Sequence, residues 1–402
     1  MIRRFLPLVC VLALPCRAQM DMSGMLLMQQ ASGTSMNPQS YRMPMFIPRA
    51  GLWSLMLMGQ AFVLDTQQAG PRGGDKFYST SWFMAAATHR AGRGSLMLEL
   101  MLSLEPATVT DRRYPELFQT GETAFGKPIV DGQHPHNFIM GLGLSYARPV
   151  GDATFLELYA APVGDPALGP VAFPHRASAS ELPQAPLGHH WQDSTHISYD
   201  VLTAALKRRW ARLEVSGFHG AEPGENRWTI GYGPVDSWST RFSVFPTSNW
   251  MAQVSVGRIT HPEALEPGDV VRATASAHYS RPMGRASWSS SLIWGRNHST
   301  FTHRNLASYL AESVLPIPGR NFLTGRWELV DKDELLPAGE VFRIGAYTLG
   351  FTHDLPPLIP GIETGIGANA TAYTLPETLQ PVYGTHPWGV DVYLRLRLKP
   401  PR

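Results

Sequence analysis

Ser95-Leu96-Met97-Leu98-Glu99-Leu100-Met101-Leu102-Ser103-Leu104-Glu105 decides the fold class of this chain. Leu96, Leu98, Leu100, Leu102 and Leu104 share one face of an extended strand, and Met97, Glu99, Met101, Ser103 and Glu105 share the other. A helix scatters those leucines around its circumference. An aliphatic face opposite one with charge and thioether is the profile of a transmembrane barrel strand, with lipid outside and a polar lumen inside. A strand of a soluble sandwich also alternates, so the choice turns on recurrence and on export.

The pattern recurs. From Gly51 onward the turn formers Gly, Pro, Asp and Asn separate about 14–18 candidate strands, sixteen being the central count. In the last, Val390, Val392, Leu394, Leu396 and Leu398 oppose Asp391, Tyr393, Arg395, Arg397 and Lys399. A soluble core charges several kcal/mol for each unpaired ion on that second face, whereas a wet lumen accepts it. Arg326, Glu328, Arg343, Arg395 and Arg397 are expected to point inward, where they select anions or pair with acids across strands. Trp191, Trp228, Trp238, Trp250 and Trp388 fall near strand ends and suit interfacial girdles. Leu306–Leu315 alone has a helix-like spacing.

Export is signalled at the start of the chain. Arg3 and Arg4 precede the apolar run Phe5–Pro15, and Cys16-Arg17-Ala18 supplies a cleavage point, so residues 1–18 read as a signal peptide. Pro15 stands where a lipoprotein signal wants a small residue, which argues against a lipid anchor at Cys16. Cys10 and Cys16 both fall within the signal, leaving no thiolate site or disulfide in the mature chain. The net charge of +2 and the 16% charged content point neither to nucleic acid nor to an acidic partner. No apolar run reaches the ~18 residues of a spanning helix, but an exported chain can still cross a membrane as a closed barrel.

Residues 19–48 carry Met20, Met22, Met25, Met28, Met36, Met43 and Met45 among small polar residues and read as a flexible Met-rich arm. Residues 49–402 form the barrel. Two connections, 106–137 and 162–195, far exceed the ordinary ~4–6 residues and are expected to form a plug or cap that carries function.

Histidines gather in those two loops. The first ends in Asp131-Gly132-Gln133-His134-Pro135-His136-Asn137; the second contains His175 and ends in His189-His190-Trp191-Gln192-Asp193-Ser194-Thr195-His196. Neutral imidazole is the commonest metal ligand and suits copper, zinc and nickel. Neighbouring loops on one rim can bring His134, His136, His189, His190 and His196 together, with Asp193 and Asp200 orienting rings from behind. The competing reading is structural: His and Asn beside Pro and Gly pin loops by bonding backbone carbonyls. Met97 and Met101, beside Glu99, offer soft thioethers that favour Cu(I), and equally well fill gaps. Ser194 and His196, two residues apart on an extended segment, stand ~7 Å apart, too far for a nucleophile and base. With no Gly-x-Ser-x-Gly, phosphate loop or dinucleotide fingerprint, an enzyme is not expected.

The pattern resembles that of Gram-negative outer-membrane β-barrels over nearly the whole mature chain. That resemblance implies the outer membrane, its lipid and the barrel-assembly machinery as partners. The chain finishes Leu398-Lys399-Pro400-Pro401-Arg402, without the aromatic that usually ends the last strand, so the expectation is either a departure from assembly by the standard machinery or an internal variant of the signal. Met20-Asp21-Met22-Ser23-Gly24-Met25 followed by a barrel is similar to copper-resistance protein B. Closer is a likeness to uncharacterised bacterial exported proteins, carried by residues 164–170, 189–196 and 220–228. The expectation is an outer-membrane, porin-like barrel for passage or capture of a small polar solute, with copper or another transition metal as cargo. Its rivals are a structural or general-permeation barrel and, third, a hydrolase.

Overall fold

The structure, a computed structural model, describes residues 22–399. The expected signal, both cysteines and Met20 lie outside the described residues. Sixteen antiparallel strands form the barrel wall: Trp53–Gln68, Asp75–Ala91, Gly94–Leu102, Ile139–Gly151, Thr154–Gly164, Ser198–Arg208, Ala211–His219, Ser237–Thr247, Trp250–Ile259, Val270–Met283, Ala286–Ser299, Asn305–Ile317, Asn321–Lys332, Phe342–Asp354, Ile362–Thr374 and Trp388–Leu398. Each pairs with the next, and the last returns to the first with Gly389 opposite Gln68 and Arg397 opposite Gln60. Closure removes the free edges that hydrocarbon cannot solvate.

The alternation of the lead stretch holds. Met97, Glu99 and Met101 are buried inside while Leu98 and Leu100 stand exposed on the outside. Leu142, Leu144, Leu158, Leu202, Leu206, Val254 and Leu292 continue that exposed apolar belt around the wall, with Trp210, Trp238, Trp250 and Trp388 near strand ends. A closed sheet with an apolar outside and a polar inside is stable only in a bilayer, which places this barrel in the Gram-negative outer membrane.

The two rims differ. At one, the connections 92–93, 152–153, 209–210, 248–249 and 284–285 have two residues each, and Gly92 and Gly284 take the left-handed conformation such hairpins need. At the other stand 103–138, 165–197, 220–236 and 260–269. In outer-membrane barrels the long-loop rim faces the exterior.

The long insertions turn inward. The first carries a hairpin, Tyr114–Ala124 with Lys127–Gln133, and the second is buried along almost its whole length in short helical turns. Wall charges meet the plug. Arg397 Nη2 is 2.7 Å from Glu181 Oε1, and Arg395 bonds the other Glu181 oxygen as well as Asp354. Arg176 joins Glu312 of the wall at 2.6 Å and Asp193 of its own insertion at 3.1 Å. A cavity of about 740 Å³ opens between residues 72–77 and the first insertion, whereas other crevices between plug and wall are small: one of about 30 Å³ lies among Gln60, Thr80, His136 and Phe173. That is the room of about one water molecule.

Four expectations need correction. Leu306–Leu315 is a strand, within Asn305–Ile317; its inward Leu310 and Val314 pack on buried surface, so its inner face is not uniformly polar. The 19–48 stretch is no flexible arm between Met22 and Asn37. The helix Met22–Leu27 lies on the inner wall, and Gln30, Ser32 and Thr34 donate to Glu157, Asp165 and Glu214 at 3.0, 2.8 and 2.6 Å. Polar residues that look unfoldable in isolation are satisfied by wall and loop carboxylates. Trp191 is buried in the plug with Lys332 Nζ 4.5 Å from its ring, not in a girdle. Arg343 points outward at the rim and pairs with Asp331, because the inward residues of its strand are the even-numbered ones there.

Candidate metal centre

The histidines are set by local turns. Residues His189–Gln192 form a single helical turn, and the Asp193 N–H closes on the His189 carbonyl at 3.0 Å. That i,i+4 spacing puts the Asp193 carboxylate against the His189 ring, Nδ1 to Oδ1 2.8 Å. A 3₁₀ turn, Ser194–His196, follows and folds His196 back onto the Asp193 carbonyl, 2.8 Å from its Nδ1. From the other insertion, the hairpin delivers His134 and His136 to the same place. Gly121 of that hairpin, at φ +120°, lies under the His190 ring, where a Cβ would sit 2.5 Å from its atoms.

Five rings form one cluster. Centroid separations are 5.6 Å for His134–His190, 5.2 Å for His189–His190, 5.2 Å for His189–His196 and 5.3 Å for His136–His196. Phe173 packs among them, 5.5 Å from His136. Nitrogens of His134, His189 and His190 all lie within 4.8 Å of one another.

The hydrogen bonds select a tautomer. Carbonyl oxygens and carboxylates only accept, so Nδ1 of His136, His189 and His196 donates to Glu105, Asp193 and the Asp193 carbonyl, each at 2.8 Å. His134 Nδ1 faces the Pro135 carbonyl at 3.3 Å. Each ring then carries its lone pair on Nε2. The buried Nε2 atoms of His134 and His196, and both nitrogens of His190, have no hydrogen-bond partner. His134 Nε2 comes within 3.1 Å of Glu122 Oε1, but without the alignment of a hydrogen bond. Imidazole with Nδ1 tied to oxygen and Nε2 free is the form that ligates metals.

Charge follows burial. Burial, reinforced by neighbouring imidazoles, holds His134 and His196 well below the usual range. Burial brings His189 down to about 4 against the pull of Asp193. For His190 the carboxylates of Glu222 and Glu263 outweigh burial and lift it to about 10. His134, His189 and His196 are thus held neutral beside an imidazolium at His190. What the cluster can do chemically is bind a cation that displaces that proton.

The remaining expected residues lie elsewhere. His175 stands apart, its Nε2 3.1 Å from Met101 Sδ and its ring 4.2 Å from Trp82. Met58, Met84 and Met101 are cross-strand neighbours on the inner wall, and Met28 packs in the same cluster. Met97 and Glu99 sit lower on that strand, with Glu99 over Gly143 beside Tyr159. Asp200 orients no imidazole; its carboxylate accepts from the Gly233 N–H. The Ser194 hydroxyl donates to Glu222 and accepts from Arg272, not from an imidazole. Sequence reasoning missed Glu222 and Glu263, each in a connection between wall strands, and Glu122, on the hairpin strand Tyr114–Ala124, none with a spacing to mark it. It placed Glu105 only on the inner face.

No family model matches the chain and no curated protein matches it, so the likeness to copper-resistance protein B gains no support. Solved structures do match. An anion-selective porin from Comamonas acidovorans is 13% identical over 86% of this chain and 100% of its own, with a TM-score of 0.56. Salmonella typhi OmpF, in complex with daunomycin, is 8% identical over 88% of this chain and 100% of its own, with a TM-score of 0.55. At such identities the likeness is one of fold: a sixteen-strand, porin-like barrel.

Proposed function

We infer that the barrel serves passage or capture of a small cation across the outer membrane, a transition metal such as copper being the cargo its ligands suit. The observation that carries this reading is the set His134, His189 and His190, whose nitrogens lie within 4.8 Å of one another, with Nδ1 of His134 and His189 turned to oxygen acceptors and both nitrogens of His190 without a hydrogen-bond partner. Ligands at about 2.0–2.1 Å from a tetrahedral ion stand ~3.4 Å apart, so closing on one needs shifts of only about 1 Å. The crevice of about 30 Å³ beside His136 suits an ion rather than a larger solute. Below the imidazoles, His175 and Met101 lead to Met58 and Met84, soft ligands suited to Cu(I), with Met97 and Glu99 further along the wall.

The test is metal content. Purified protein should bind Cu(II) or Zn(II) stoichiometrically, and the His134→Ala/His189→Ala/His190→Ala variant should lose it. Unchanged binding in a folded triple variant removes the reading. A second reading, general permeation with the insertions as structural plug, is favoured by the ion pairs of Glu181 and Arg176 with the wall. Bilayer conductance that is indifferent to metal and to the histidine substitutions supports it.

A further inference from the structure

The geometry points to a second cation site, formed by His190, Glu222 and Glu263 on the exterior side of the imidazole cluster, that receives a divalent metal before the inner rings do. It depends on the inner reading only in sharing His190.

Glu222 comes from the 220–236 connection and Glu263 from 260–269, two loops that meet above the second insertion. His190 Nδ1 is 3.6 Å from Glu222 Oε1 and 3.6 Å from Glu263 Oε1. A contact of that length is not a hydrogen bond. It is close to the ~3.4 Å that separates two ligands of one tetrahedral ion. The ring is buried, yet neither nitrogen has a hydrogen-bond partner, and Glu222 Oε2 has none either. These are buried polar atoms left without a hydrogen bond, which a bound cation would engage.

The carboxylates are held in place by neutral donors. Ser194 Oγ donates to Glu222 Oε1 at 3.0 Å, and the Glu122 N–H donates to Glu263 Oε2 at 3.0 Å. Arg272, the guanidinium nearby, is spent on Ser194, the His190 carbonyl and Asn297. Among the described residues, His190 is the one cationic partner within ion-pair distance of either acid.

The carboxylates are the more open groups. Side-chain exposure is 1% at His189 and 7% at both His134 and His190, against 9% at Glu222 and 22% at Glu263. An ion arriving from the exterior meets the carboxylates first. One nitrogen and two carboxylates suit hydrated, oxygen-preferring divalent ions, while the all-imidazole set beneath suits copper or zinc. With Nδ1 turned to the acids, His190 keeps Nε2 for the His134–His189 side, so a single ring serves both sites and the ion moves inward by ligand exchange.

Mn(II) is the discriminating probe, since it favours carboxylate oxygen over imidazole. Full-length protein in detergent, titrated with Mn(II) and followed by loss of the free-ion EPR signal, should bind one equivalent. Glu222→Gln and Glu263→Gln, tested singly, should each weaken it about tenfold or more, while His134→Ala/His189→Ala should leave it within about twofold. Glutamine keeps an oxygen for the Ser194 and Glu122 donors, and heat-modifiable migration reports folding for each variant. Absence of Mn(II) binding in the parent, or binding that survives both glutamine variants, overturns the second site. Loss of Cu(II) binding in the double histidine variant reports on the inner site independently.

Discussion

Asp193 Oδ1 lies 2.8 Å from His189 Nδ1, one helical turn further along the chain. Its other oxygen accepts from Arg176 Nη1 at 3.1 Å and from the Phe173 N–H at 2.8 Å. Burial opposes ionisation of this carboxyl, but His189 and Arg176 outweigh burial and hold it below the usual carboxylate range. Asp193→Asn should weaken Zn(II) or Cu(II) binding by about 10–100-fold, because the ring loses the acceptor that sets its tautomer. Competition titration against a chromophoric chelator measures this. An unchanged affinity would mean that Asp193 does not orient the ligand.

Gly121 leaves room for the His190 ring. A methyl group there would stand 2.5 Å from ring atoms, on a backbone at φ +120° that L side chains avoid. Gly121→Ala should displace the ring, at a strain of about 1–3 kcal/mol, and reduce metal occupancy with every ligand still present. Full occupancy in the folded variant would show that His190 is not needed where it sits.

Glu181 latches the second insertion to the wall through Arg395 and Arg397. In Glu181→Ala both guanidiniums lose a buried partner, although Arg395 keeps Asp354 and Arg397 keeps Gln60. A destabilisation of about 3 kcal/mol is expected, with larger and noisier conductance in planar bilayers as the plug loosens. Single-channel traces identical to the parent's would exclude a latch at this position.

Burial pushes the Asp165 carboxyl up to about 8 against the pull of Arg241, while Ser32 donates to it at 2.8 Å. In the unfolded chain the group titrates near its ordinary value of ~3.9. The folded state therefore holds a proton that the unfolded state has released, and stability falls as pH rises between those values. Amide protection factors for residues 28–36 should drop between about pH 4 and about pH 8, and should do so much less in Asp165→Asn. Equal profiles in the two proteins would assign the effect to another group.

Chelation should empty the imidazole cluster without opening the barrel. The wall is closed by strand pairing, and its inner charges are met by plug side chains rather than by an ion. EDTA-treated protein should retain heat-modifiable migration and β-sheet circular dichroism, with a loss of no more than about 3 kcal/mol from ligand linkage. Unfolding on chelation would make the metal structural.

Much of this was legible because alternation is a local property. The lead strand at 95–105 and the last strand each declare their inner and outer faces within ten or so residues, and closure of such strands is imposed by the bilayer. The strand Asn305–Ile317 was not legible: its inner face packs on buried surface, so Leu310 and Val314 erase the polar half of the signal. The Met22–Asn37 stretch misled for the converse reason, its polar residues having partners more than a hundred positions away.

By itself the sequence determined a closed barrel, its approximate strand number and the two histidine-bearing insertions, since each follows from side-chain period or from connection length. Only the tertiary structure decided that the insertions turn inward and that His134 and His136 meet His189, His190 and His196. It likewise brought Glu222 and Glu263 to His190 and left Met97, Glu99 and His175 outside that cluster. Those outcomes depend on barrel circumference and loop docking, which bring together residues tens of positions apart, and no local pattern encodes a distance of that kind.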